Sequence, residues 1–197
     1  MFRWIATATL LTALTISAYH RRAARREGGT IPRSRETPGL IAFRLLLVIP
    51  LVGGLLGHLG FPARMQWASF SSGPWVRWLG VGLAGVAVPT LYWVLRSIGR
   101  NVSETILTKP DHELVTHGPY RWVMHPLYST GILLITAIGF MTASWYLLLL
   151  AAGALILIRL VVIPREEEHL RARFGDAYQE YADGTGRLFP VLRRGRR

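Results

Sequence analysis

Cysteine is absent from the 197 residues, which excludes disulfides, thiolate nucleophiles and any metal site built on sulfur. Acidic residues are scarce as well: 11 Asp+Glu stand against 23 Lys+Arg, for a formal charge of +12. In a soluble protein that imbalance would point to nucleic acid. Here the basic residues sit beside long apolar blocks with no RNA- or DNA-binding motif, so nucleic acid is not an expected partner. Regular alternation of polar and apolar residues is also lacking. Hydrophobic residues make up 51% of the chain and the mean hydropathy is +0.30, a membrane composition whose first partner is the lipid bilayer.

Five apolar stretches stand out, at residues 4–19, 39–60, 76–95, 127–142 and 144–163. They predict an all-α integral membrane bundle of about five transmembrane helices. The first is followed, not preceded, by most of its charges (Arg21, Arg22, Arg25, Arg26), which marks a signal anchor and not a cleaved signal. Residues 1–38 are therefore an anchor helix with a basic linker, and residues 39–95 hold the second and third spans. Almost nothing separates the fourth and fifth spans, so they form a tight antiparallel hairpin. Basic residues gather in the first linker, the 96–125 segment and the tail, whereas Arg3, Arg64 and Arg77 are the cations left for the opposite side. That asymmetry places the N-terminus outside and the C-terminus in the cytoplasm. Past Pro164, Leu170, Phe174, Tyr178 and Tyr181 recur at helical spacing, predicting an amphipathic helix in the cytoplasmic headgroup layer, interrupted at Gly175.

Chemistry concentrates in two places. Gly118-Pro119 forces a turn, and His125 precedes Pro126 where the apolar residues of the fourth span begin, so a loop feeds a helix start able to hold an anion. Glu166 and Glu167 stand at the inner boundary of the fifth span; either they pair with Arg165, Arg171 or Arg173, or they face the mouth of the bundle. Arg159 shares their face if the helix continues through Pro164, and it either snorkels or binds a carboxylate. His125 has no ligand at metal spacing, so no metal is expected; it is structural or ligand-directed. Tyr120, Trp122 and Tyr128 are interfacial anchors or the lining of a cation pocket. The glycines of Gly80-x-Gly82-x-x-Gly85 mimic a dinucleotide motif but lack a preceding strand, and read better, with Gly53 and Gly57, as small faces for helix packing. The Asn101-x-Ser103 sequon falls on the inner side and is discounted, and His58 and Arg44 receive no role.

Taken together, Leu114-Val115-Thr116-x-Gly118-Pro119-Tyr120-Arg121 with His125-Pro126-x-Tyr128, then Glu166-Glu167-x-x-Leu170, Phe174-Gly175, Tyr178, Tyr181 and Pro190, resemble the isoprenylcysteine carboxyl methyltransferase family. Membrane phospholipid N-methyltransferases look similar over the same region, roughly residues 92–190. The resemblance implies a membrane enzyme whose core, residues 96–197, binds S-adenosylmethionine at the cytoplasmic side and methylates a lipid-like or isoprenylated substrate, on a carboxyl or an amine. Carried over by position, Leu114, Val115, His117, Gly118, Pro119, Tyr120, His125, Pro126 and Tyr128 line the cofactor pocket. Glu166 and Glu167 close it, and Glu167 and Arg121 are the expected catalytic residues. Two positions depart from the family pattern. Met124 stands where an Arg usually precedes the His-Pro pair, so that either Arg121 replaces it or the substrate differs; Thr130, followed by Gly131, replaces a small residue. An NADPH-dependent reductase of the sterol and steroid type is the alternative, weakened by the lack of an acidic residue shortly after Tyr128.

Overall fold

A computed structural model describes residues 1–28, 38–99 and 114–191, and among them the chain is helical with no strand. The helices are α1 (Phe2–Gly28), α2 (Pro38–Gly60), α3 (Pro74–Ile98), α4 (Pro126–Thr142), α5 (Trp145–Leu157), α6 (Ile163–Phe174) and α7 (Asp176–Gly184). The Asn101 sequon, Arg33, Arg35, Arg100, Lys109, the final arginines and the Arg44 side chain lie outside the described residues.

α1 and α3 run side by side with their starts together. Phe2 meets Trp78 at one end (5.5 Å between ring centroids) and His20 meets Tyr92 farther along (5.4 Å). The first helix is longer than the expected span, because alanines at 6, 13 and 24 keep one small face buried past the apolar stretch and into the basic cluster. α4 packs antiparallel on α3, most closely at Gly80, where an added Cβ would lie 2.6 Å from the Ala137 carbonyl and 2.7 Å from the Met141 nitrogen. The small-face reading holds there, but Gly82, Gly85 and Gly53 face open space; in α2 it is Gly54 and Gly57 that meet Tyr146 and Met65. Ala6, Leu55, Ala84, Ala137, Ile138, Met141 and Leu147 form the common core.

The expected hairpin between the fourth and fifth helices is present. Ala143 adopts a left-handed conformation (φ +50°), Ser144 caps α5 by accepting from the Leu147 N–H at 3.2 Å, and the Ala143 carbonyl accepts from Phe70. The fifth helix does not stop at residue 163. It runs through a π-turn, Ile158–Val162, into α6, making one rod from Trp145 to Phe174. Proline in an α-helix loses a bond and strikes the carbonyl four residues back, whereas a widened turn, closed by the Ile163 N–H on the Ile158 carbonyl, carries the chain past Pro164. The separate headgroup helix expected from Pro164 is therefore an extension of the fifth. Its break falls at Gly175 as expected, where φ is +53°. α3 and this rod are long and apolar enough to cross a membrane, and Val48–Gly60 and α4 are shorter apolar helices.

Candidate functional site

The site is assembled at the end of α3 that lies farthest from the α4–α5 turn. Gly118 has φ +61°, and with Pro119 it folds Gly118–Arg121 into a 3-10 turn. A Cβ at 118 would strike the Ser97 hydroxyl, and Trp122 stands edge-on to Trp93 with centroids 5.6 Å apart, so the loop is clamped to the end of α3. Pro126 opens α4, where its missing N–H leaves no bond unmade. A strap after α7 covers this start. The Met124 N–H donates to the Gly186 carbonyl at 2.7 Å, the His125 N–H to the Arg187 carbonyl at 3.0 Å, and the Ser129 hydroxyl to the Leu188 carbonyl at 2.6 Å.

Beneath the strap, His125 stands between the two carboxylates. Its Nδ1 is 3.6 Å from Glu166 Oε2 and its Nε2 is 3.7 Å from Glu167 Oε1. The Tyr128 hydroxyl donates to Glu166 Oε2 at 2.9 Å while its ring stacks on His125. Glu167 is buried, 3% exposed, and Arg187 meets both of its oxygens, Nε at 2.7 Å from Oε1 and Nη2 at 2.8 Å from Oε2. The Nη2 contact is a charge-assisted hydrogen bond, and the Nε contact adds a close ion pair. Arg171 lies farther off, 3.7 Å from Glu167 Oε2.

α7 closes the side of the cluster next to the Gly118–Arg121 turn. The Tyr181 hydroxyl donates to the Tyr120 carbonyl at 2.7 Å, tying the helix to the Gly118–Arg121 turn. Burial pushes the Tyr120, Tyr178 and Tyr181 phenols up; Glu166 adds to the effect on Tyr120, and Glu167 to that on Tyr178. They remain neutral donors over the physiological range. Three buried polar atoms of the cluster have no hydrogen-bond partner: His125 Nε2, Glu167 Oε1 and the Tyr178 hydroxyl. An unsatisfied buried group costs about 1–3 kcal/mol.

The structure thus brings together His125, Pro126, Tyr128, Glu166 and Glu167, separated by up to 42 positions in the chain, with Gly118, Pro119 and Tyr120 forming the adjoining wall. Leu114 and Val115 are half-buried and His117 is exposed ahead of the turn; none forms a hydrogen bond or ion pair with the acidic pair. Arg121 is not at the carboxylates. Its guanidinium lies 5.8 Å from the Trp122 ring centroid, in the wall of a groove of about 1050 Å³ shared with Thr116, Tyr181 and Asp183. Of the two alternatives raised by Met124, that Arg121 replaces the family arginine or that the substrate differs, the first finds Arg121 away from His125, and the guanidinium that meets the acidic pair is that of Arg187. In the sequence nothing separates Arg187 from the other tail arginines except its place three residues before Pro190. Tyr178 and Ser129 were not singled out as site residues either. No group of three or more His, Cys, Asp or Glu is placed to hold a metal among the described residues.

The model of the phospholipid methyltransferase family matches residues 75–177, over half of the chain, including His125, Tyr128, Glu166 and Glu167 but neither Tyr178 and Tyr181 nor the strap. The nickel-cobalt-cadmium resistance protein NccN of Alcaligenes xylosoxydans xylosoxydans is 32% identical over 155 residues, covering 76% of this chain and 63% of that protein. A probable protein-S-isoprenylcysteine O-methyltransferase of Oryza sativa subsp. indica is 35% identical over 121 residues, 57% of this chain and 62% of its own length. The uncharacterized protein YpbQ of Bacillus subtilis is 26% identical over 140 residues, 68% and 76% of the two chains. The chain spans less than two thirds of the length of the first two relatives.

Proposed function

Because this chain belongs to the phospholipid methyltransferase family, we propose that it is a membrane methyltransferase that uses S-adenosylmethionine and a lipid-like or isoprenylated acceptor. The observation that carries the reading is the seating of His125 between Glu166 and Glu167, inside the matched region, with His125 Nε2 and Glu167 Oε1 left without hydrogen-bond partners.

S-adenosylmethionine supplies an electrophilic methyl group on a sulfonium cation. The paired carboxylates and the stacked rings of Tyr128 and His125 offer the charge and the π-face that a cation prefers. His125 Nε2 and the Tyr178 hydroxyl hold polar atoms of the donor. Glu167, kept in place by Arg187, orients the donor, while the strap excludes water, so that alignment of the reacting atoms is the protein's main contribution. Arg121 lines the approach groove.

In this reading α1 to α4 and the α5–α6 rod are the five spans. Arg96, Arg165, Arg171, Arg173 and Arg187 then share the site's end and Arg3, Arg64 and Arg77 the other, which makes the site cytoplasmic and the N-terminus external. The reductase alternative predicts a different ligand, and calorimetry of the detergent-purified chain separates the two: S-adenosylmethionine binds and NADPH does not. Methyl transfer from labelled donor into a total lipid extract then identifies the acceptor. Binding of NADPH with no binding of S-adenosylmethionine overturns the proposal.

A further inference from the structure

α1 has two faces of different character. Ala6, Ala13 and Ala24 turn inward and are buried, which holds the helix close to its neighbours. Leu11, Leu14, Ala18, Arg22 and Arg26 recur three or four residues apart, so they share the far side of the helix. A cavity of about 750 Å³ runs along that side, within the range of small-ligand sites.

Its walls divide by chemistry. Leu11 and Leu14, 58% and 56% exposed, line one end, and among the described residues the charged walls are Arg22 and Arg26 at the other. From Leu11 to Arg22 the helix rises about 16 Å at about 1.5 Å per residue, against about 15 Å for half of a bilayer's hydrocarbon core. The groove therefore has the depth of one leaflet. Tyr19 lines it where the apolar wall gives way to the cations, the level at which an amphipathic ring belongs. Arg22 and Arg26 are exposed and one turn apart, close enough for two guanidiniums to meet one anion, and no Asp or Glu occurs in residues 1–26. Arg21, off this wall, is engaged differently: its Nε donates to the Ser17 hydroxyl at 3.1 Å.

We propose that this groove binds one phospholipid with an anionic headgroup, its phosphate on Arg22 and Arg26 and an acyl chain along Leu14 and Leu11. The assignment rests on α1 being a membrane span and is independent of methyl transfer. A planar guanidinium takes phosphate oxygens by parallel bonds, and two cations with no carboxylate among the walls favour an anionic head over one that carries an ammonium. His20 packs on Tyr92, which puts this end of α1 at the end of the bundle that holds the His125 cluster, so the lipid is drawn from the leaflet on the site's side.

Native mass spectrometry of the full-length chain in detergent, titrated with phosphatidylglycerol or with phosphatidylcholine of the same acyl chains, reads the one-lipid adduct. Phosphatidylglycerol should bind at least about tenfold more tightly. Joint Arg22→Gln and Arg26→Gln should remove that gap, and joint Arg3→Gln and Arg64→Gln at the opposite end should keep it, with size-exclusion profiles unchanged. Equal affinity for the two lipids, a gap that survives Arg22→Gln with Arg26→Gln, a gap lost equally in the Arg3 and Arg64 pair, or displacement of the lipid by glycerol 3-phosphate overturns the proposal. The span is tested apart from the lipid. Leu11→Cys, in a chain with no other cysteine, should resist a membrane-impermeant maleimide in vesicles; labelling removes the span reading of α1, whereas protection without a lipid preference removes this proposal alone.

Discussion

Arg187 holds Glu167 by both carboxylate oxygens, at 2.7 and 2.8 Å, joining the strap that covers α4 to the middle of α6. The carboxylate is buried and the guanidinium is partly exposed, so the pair is screened on one side only. Removing the arginine leaves a buried charge with weaker company, since Arg171 is 3.7 Å away. Arg187→Ala should lower stability by about 1–3 kcal/mol, and adding Glu167→Gln to it should recover part of the loss. Thermal unfolding followed by tryptophan fluorescence checks this through a double-mutant cycle; additive effects would mean that the pair is not coupled.

His125 and Glu167 face each other across 3.7 Å, with the histidine nitrogen unsatisfied. If the donor completes that site, His125→Ala and Glu167→Gln should each weaken S-adenosylmethionine binding by at least about tenfold, the equivalent of about 1.4 kcal/mol, while membrane insertion is preserved. Calorimetry of the two variants is the measurement. Unchanged binding in both removes the site assignment.

Tyr120, Tyr178 and Tyr181 have phenols raised above their ordinary value of 10.0, chiefly by burial. The folded chain therefore holds these protons more tightly than the unfolded chain. Their contribution is complete below pH 10 and is lost as the pH climbs from there toward the folded values. Unfolding temperature should accordingly fall above about pH 10, and Tyr181→Phe should flatten part of that fall at a cost of about 0.5–1.5 kcal/mol for the lost bond to the Tyr120 carbonyl. Phenolate absorbance during an alkaline titration gives the same answer independently, as delayed titration of the buried tyrosines.

Two glycines of one motif should behave differently. Gly80→Val drives a side chain into the α4 backbone and should cost about 1–3 kcal/mol, whereas Gly85→Val meets open space and should stay within about 0.5 kcal/mol. Thermal unfolding of the two variants side by side decides it; equal losses would refute the close approach of α3 and α4.

Local rules made much of this legible beforehand. Pro126 at a helix start, Gly175 at a helix break and the α4–α5 hairpin all follow from backbone restrictions that act within a few residues. The continuation through Pro164 was not legible, because a π-turn is a compromise between a proline and the packing on both sides of it, and no residue type announces it. Gly80 and Gly85 look alike in the chain, and only the neighbouring helix distinguishes them.

By itself the sequence determined the helical character, the apolar blocks and the two motifs, since periodicity, hydropathy and proline or glycine geometry are properties of short stretches. The tertiary structure alone decided which charge meets which. Arg187 and Arg121 are equal in chemistry, but the strap after α7 carries one onto Glu167 while the Gly118–Arg121 turn aims the other at Trp122. Electrostatic pairing falls off with distance in space, and distance along the chain says nothing about it until the helices have packed.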